Sequence, residues 1–426
     1  MRPAEKHAAP ASYLTRLAIA SRAERWPLAR AWLRDEPGPF CDELRRRRPI
    51  LRTAEVTLVA RRADVAEVLS LPSVFTVALY KPKMGDFMLA SDETPMNTRD
   101  KSVMRAMLNR DDLARVRALV GTLADEALDR GAGRLDAVPE LDRLVPVRVV
   151  QRYFGLEAPD ADILRWSFAN QLDQFNNLPF DGRPDAEAVN GAAKAARAEM
   201  VARLKALIPA RLAAIQGGAE PDDVLSRLLR THFPADIGFG MDRVVINVGG
   251  LLIGAVETTS EAVVNVLAEL FRRPRELEAA REAAAGADTA AFDGYVWEAL
   301  RFAPIVAFMF RQAAQDHVLA RGTARETTIP AGTVVLPLSL SAMFDPDWVE
   351  RPEAFVPGRP AHAYLHFGLG HHECLGRHVA EAMIPEIVRR ALLRPDLRPS
   401  GGIDYAGTPF PASYPLAYAT RPPTSA

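Results

Sequence analysis

The chain has 426 residues, 48% hydrophobic and 25% charged, with a net charge of −1. That is enough apolar material for a sizeable core, and the charge balance argues against a general nucleic-acid binder. Two cysteines exclude a disulfide framework and fit a reducing compartment, while length alone suggests two or three domains.

Residues 1–51 are rich in Arg, Ala and Pro. They hold no apolar run long enough to cross a bilayer and no secretory h-region. The stretch 1–25 is expected to be a flexible extension. Residues 55–60 read as a short strand and 64–71 as a helix. From Pro72 to Pro95 the prolines and glycines predict a long loop with exposed apolar residues: Leu79, Tyr80, Met84, Phe87 and Met88. Long loops in compact domains tend to be functional. Helices are predicted over 97–107, 111–129, 141–154 and 158–176. The stretch 178–184 breaks the pattern, and an Ala-rich helix runs from 186 to 216 before Gly217-Gly218.

Met241 to Phe271 carries the longest apolar helix signal. Asn247 and Glu257 interrupt it, so it is not a clean transmembrane span. Gly249, Gly250 and Gly254 each cost about 1 kcal/mol relative to Ala in a helix interior. Three of them predict the close approach of something large. A plain core helix does not account for Glu257-Thr258-Thr259 in an apolar run. After Arg301 the pattern turns β-like, with Thr333-Val334-Val335-Leu336 as one strand. Residues 352–359 form a Pro-rich meander without regular periodicity.

The densest signal is Phe367-Gly368-Leu369-Gly370-His371-His372-Glu373-Cys374-Leu375-Gly376. The glycines permit positive φ and let a flat ligand approach closely. Residues 377–384 read as an amphipathic helix, which puts Cys374 at a helix N-terminus. Free N–H groups and the positive dipole end there stabilise an anionic sulfur. No second cysteine stands at metal-site spacing, which disfavours a zinc or iron–sulfur centre. One thiolate on an open loop suits haem iron.

This segment resembles the haem-binding loop of the cytochrome P450 family, Phe-x-x-Gly-x-x-x-Cys-x-Gly, through Phe367, Gly370, Cys374 and Gly376. Glu298-Ala299-Leu300-Arg301 resembles the family's Glu-x-x-Arg. Gly254-Ala255-Val256-Glu257-Thr258-Thr259 resembles its acid–alcohol helix. The resemblance is close over about 240–393. It implies a mainly α fold with small β-sheets, the cytochrome P450 fold, as a single haem-thiolate domain over 26–426. The implied cofactor is haem b (iron protoporphyrin IX), with Cys374 as axial iron ligand.

Further roles follow from the resemblance. Phe367, Gly368 and Gly376 shape the thiolate's surroundings, and Glu257 and Thr258 deliver protons beside bound dioxygen. The usual order before that pair is Ala-Gly, so Ala255 stands where a glycine borders the oxygen site, and its methyl is expected to narrow it. Glu298, Arg301 and Arg359 form a structural lock. Arg311 and His372 are expected to hold the haem propionates, with Asn97 and Lys101 in place of the family's His-x-x-x-Arg. An apolar pocket draws on Phe87, Met88, Leu251, Ala255, Val306, Phe308 and Phe410.

The first functional reading is a cytoplasmic, monomeric monooxygenase without a membrane anchor. It acts on a small apolar or amphipathic substrate, with electrons from a ferredoxin or flavodoxin and its NAD(P)H reductase. Arg105, Arg110 and Arg377 are candidate cations for an acidic donor. A peroxide-driven peroxygenase or an isomerase is the alternative, although family peroxygenases typically replace the acid–alcohol pair. A non-catalytic haem carrier is a third reading, against which the proton-relay pair argues.

Overall fold

The computed structural model describes residues 12–92 and 94–420. The expected extension over 1–25 lies partly outside the described residues; its described part includes a helix, Tyr13–Ile19. Contacts group the chain into two compact units. One combines the residues up to Thr76 with Val306–Glu353, and the other combines Val77–Ile305 with the residues from Ala354 onward.

The first unit is built on a five-stranded sheet. Its order is Ile50–Arg52, Val56–Val59, Val334–Pro337, Arg311–Ala313 and Phe75–Thr76. Val56–Val59 pairs antiparallel with the first strand and parallel with Val334–Pro337. Paired on both sides, it is buried at all four positions, which is why its sequence reads as a continuous β-rich run. Helix Arg62–Ser70 follows it directly. Helices Arg25–Asp35 and Pro37–Arg47 lie where the sequence suggested no elements. Their apolar residues Trp26, Ala29, Leu33, Phe40 and Leu44 do recur at helical spacing, but the Arg and Pro content around them masks the pattern.

The second unit holds one contiguous apolar core, running from Met88 to Tyr418 and threaded by helix Met241–Phe271. That helix is long and apolar enough to cross a membrane, but 78% of its apolar window is buried inside the protein. Its polar interruptions are paired: Asn247 Nδ2 donates to Asp100 Oδ2 at 2.8 Å, and Arg243 Nε donates to the same oxygen at 2.7 Å. Asp100 belongs to helix Pro95–Met107, so this bond ties the two helices together. The expected helices 141–154 and 158–176 are each divided by a widened π-type turn, Val138–Asp142 before Leu144–Arg152 and Leu172–Asn176 after Asp160–Gln171. The Ala-rich helix spans Ala186–Gln216, as its composition predicts. The expected loop 72–95 contains a helical turn, Lys81–Met84, and a 3-10 turn, Met88–Ala90.

Candidate functional site

Cys374 ends a tight loop and precedes helix Arg377–Leu392. Gly368 and Gly370 both adopt φ of 75°, a region costly for any residue with a Cβ. The loop closes on itself through Cys374 N–H donating to the Phe367 carbonyl at 2.9 Å. Phe367 is clamped between Trp297, edge-on at 5.8 Å, and the Arg377 guanidinium, 5.8 Å above its ring. Lys101 Nζ donates to the His371 carbonyl and anchors the loop from helix Pro95–Met107. Cys374 is an exposed residue. Surrounding protein pushes its thiol pKa up, against the opposing pull of the Gly376 and Arg377 N–H groups and of Lys101. A metal cation at the sulfur would reverse that balance.

The three glycines of helix Met241–Phe271 have separate causes. A Cβ at Gly249 would lie 2.8 Å from Met200 Cε, and one at Gly250 would lie 2.2 Å from Phe87 Cε2. Protein side chains therefore fill those two positions. At Gly254 a Cβ would meet nothing within 4 Å. Gly254 is exposed and Thr258, one turn on, is half-buried, although the helix around them is buried. Ala255, expected to border the oxygen site, is only 9% exposed and belongs to the core. The residue that borders open space is Gly254, so the Gly-Ala order does not put a methyl there.

Thr258 Oγ1 donates to the Gly254 carbonyl at 2.5 Å. Glu257 is 2% exposed and points elsewhere. Its Oε2 accepts from Arg143 Nε at 3.0 Å and Nη2 at 2.8 Å, and Arg143 also donates to the Pro411 carbonyl. Burial raises the Glu257 pKa, and Arg143 offsets only part of the rise. Successive helix positions diverge by about 100°, so acid and alcohol share no hydrogen bond.

The Glu298 cluster is complete. Glu298 Oε1 accepts from Arg301 at 2.7 Å, from Arg359 at 3.0 Å and from the Val356 N–H at 2.9 Å. Tyr364 donates to Oε2 at 3.3 Å, and Arg301 and Arg359 both reach the Ala354 carbonyl. The 352–359 meander is thereby tied to helix Thr289–Phe302. Burial pushes Glu298 up, but the donors outweigh it and hold the carboxyl below its usual value.

Other expected residues are placed as follows. Asn97 Nδ2 donates to the Met88 and Ser91 carbonyls at 2.6 and 3.0 Å. Its amide donors are spent on pinning the 72–95 loop. Lys101 is likewise committed to the ligand loop. His372 Nε2 lies 3.8 Å from Asp92, with its side chain 4% exposed. Arg311 is buried in the other unit and donates to the Phe310 carbonyl at 2.8 Å. Val306 and Phe308 belong to that unit too, with Arg30 over the Phe308 ring. Phe87 rests on Gly250. Met88, expected to be exposed on the loop, is fully buried in the core. Leu251 and Phe410 are buried, the latter edge-on to Phe168 at 5.7 Å. Arg377 is paired with Glu373 and Glu381, whereas Arg105 and Arg110 are exposed.

Sequence reasoning missed Arg143, the partner of Glu257. It lies 114 positions away, and nothing local marks it. It also passed over Glu261, whose i, i+4 spacing from Glu257 was visible.

Among the described residues no group of three or more His, Cys, Asp or Glu could hold a metal ion. A metal bound by Cys374 must bring its remaining ligands with it. Haem does so, and the exposed Cys374, its N–H donors and the opening at Gly254 and Thr258 on a helix packed against Arg377–Leu392 fit such a group.

Fold and site together define a haem-thiolate protein. Residues 160–401 match the family model described as Cytochrome P450, and the chain belongs to that family. It is similar to cyclomarin C epoxidase CymV of Salinispora arenicola, 27% identical over 82% of this chain and 84% of that one. Cytochrome P450 GfsF of Streptomyces halstedii is 28% identical over 90% and 92%. The crystal structure of CalO2 superposes with a TM-score of 0.76 at 26% identity, covering 91% of this chain and 97% of that one. The protein is an oxidoreductase of the P450 monooxygenase family, with haem b as its cofactor.

Proposed function

We propose that the protein inserts one oxygen atom from O2 into an apolar or amphipathic small molecule. Electrons come from a separate ferredoxin or flavodoxin with its NAD(P)H reductase. The observation that carries this reading is Thr258, a half-buried hydroxyl beside the opening at Gly254, next to the buried carboxylate Glu257. A haem carrier needs neither group.

Haem, which Cys374 would hold through its thiolate, would supply the one-electron and O2 chemistry. The chain's own residues do the rest. Lys101 and the Gly376 and Arg377 N–H groups hold the sulfur's loop and moderate its charge. His372 holds a propionate in this reading. Thr258 can turn its hydroxyl from the Gly254 carbonyl to a water in the opening. Glu257, steadied by Arg143, holds and returns a proton at its carboxylate. Phe87 walls an apolar substrate space from the 72–95 loop.

CymV is a cyclomarin C epoxidase. That similarity supports epoxidation or hydroxylation of a natural product as the reaction. Exposed Arg105 and Arg110 suit an acidic electron donor, and a soluble, cytoplasmic monomer is part of the same proposal.

Turnover with NAD(P)H and a surrogate ferredoxin pair should form product, and peroxide alone should be far less effective. Full turnover on peroxide, with no gain from electron donors, favours the peroxygenase reading and rejects this one.

A further inference from the structure

Glu257 has a second acid beside it. Glu261 lies one turn further along the same helix, at the spacing that brings Cβ atoms within about 5–6 Å. It is half-buried and has no hydrogen-bond partner among the described residues. Glu257 spends only Oε2 on Arg143, and among the described residues its Oε1 accepts no hydrogen bond. Tyr405 is 41% exposed, and burial, with the nearby Glu261 charge, raises its hydroxyl pKa.

The neighbouring charges are Arg143 and Asp142 on the segment packed against this helix, with Arg272, Tyr405 and Tyr414 beyond. Asp142 is fully buried, and neither of its carboxyl oxygens has a hydrogen-bond partner among the described residues. Among these groups Arg143 is the cation that engages Glu257. Burial and the nearby Glu257 carboxylate push Glu261 up to about 8.

We propose that Glu261 is the proton-input residue of helix Met241–Phe271, passing protons from the solvent side at Tyr405 to the open Oε1 of Glu257. This rests on the monooxygenase reading above, in which each turnover consumes one O2, two electrons and two protons. In each relay step the Glu261 O–H bond breaks as an O–H bond forms on Glu257, directly or through one water. The Glu261 carboxylate regains its proton from solvent. Burial, which raises the Glu257 pKa, lets it take up the proton, and Arg143, which offsets part of that rise, lets it be given up again. Glu261 acts through Glu257 and is a positioning residue for the proton, not a catalytic one.

The test compares haem-loaded wild type with Glu261→Gln and Glu261→Asp. With a surrogate ferredoxin pair, Glu261→Gln should lose coupled product formation about tenfold, below the roughly hundredfold of a direct general acid because Glu257 remains. Electrons should go to peroxide, and Glu261→Asp should recover part of the coupling. Wild-type coupling should fall as pH rises through about 8, and that fall should vanish in Glu261→Gln.

A second readout needs no turnover. With a folded pKa raised from 4.5 to about 8, the folded state keeps a proton that the unfolded state has released. Stability therefore falls as pH rises across that window. Glu261→Gln should remove about one proton from that dependence. Unchanged coupling and pH profile in Glu261→Gln overturns the proposal, as does an unchanged unfolding slope. A uniform loss of stability and rate with the profile kept is a structural role and overturns it too. Absence of donor-driven turnover in wild type rejects the monooxygenase reading instead, and the unfolding slope then decides alone whether Glu261 stores a proton.

Discussion

Cys41 and Cys374 have opposite fates. Cys41 is sealed in the core and burial pushes its thiol up to about 12, so it stays inert. Cys374 is exposed and has backbone donors and Lys101 around it. Cys374→Ser should therefore abolish the thiolate signature in the ferrous carbon-monoxide spectrum, and Cys41→Ala should leave it intact. Lys101→Met should keep the fold but loosen the ligand loop. Losing a charge-assisted bond to the His371 carbonyl costs about 1.5–3 kcal/mol. Faster haem loss to a scavenging apoprotein would report it. The residue roles legible in advance were those set by short spacing: the frame around Cys374 and the Glu298–Arg301 pair. What could not be read in advance was that the Asn97 donors go to the Met88 and Ser91 carbonyls, because side-chain direction cannot be read from a motif.

At the scale of the element, helix Met241–Phe271 sorts its glycines by what faces them. Gly250→Ala gains about 1 kcal/mol of helix propensity, but its Cβ would sit 2.2 Å from the Phe87 ring. Overpacking costs about 1–3 kcal/mol, so a small net destabilisation is expected, with Phe87 displaced. Denaturant unfolding and substrate-induced spin-state shifts would measure the two effects. Gly254→Ala meets no protein atom and should stabilise the apoprotein by about 1 kcal/mol. If haem or its ligands use that space, the gain should shrink in the loaded protein. The bounds of this helix and of Ala186–Gln216 were readable because both patterns run long, the second continuing past Pro209. The π-type turns at Val138–Asp142 and Leu172–Asn176 were not, since the apolar spacing continues through them.

For the molecule as a whole, buried carboxyls set two opposite pH limbs. Glu298 is held below its usual value of 4.5, so its contribution is present above that pH and is lost as pH falls through its folded value. Glu298→Gln should flatten this acid limb. It should also destabilise the protein by about 3–5 kcal/mol at neutral pH, because Arg301 and Arg359 keep their buried charge. Glu261 and Glu257 are raised, and they weaken the fold as pH climbs above 4.5. Chemical denaturation across pH separates the limbs, since each variant flattens only its own. Haem extraction should lower the unfolding midpoint, because a group that binds only the folded state stabilises it by mass action.

By itself the sequence determined the family, the proposed iron ligand, the long core helix and the Glu298–Arg301 pair. All are carried by residue identities at fixed short spacing, which local chemistry reads directly. Only the tertiary structure decided which glycine faces open space, what Glu257 holds and where the 72–95 loop is pinned. Those outcomes depend on Phe87, Met200, Arg143 and Asn97 arriving from other segments. Burial then converts each contact into a shifted charge or a filled void, and no spacing rule encodes which distant side chain will be there.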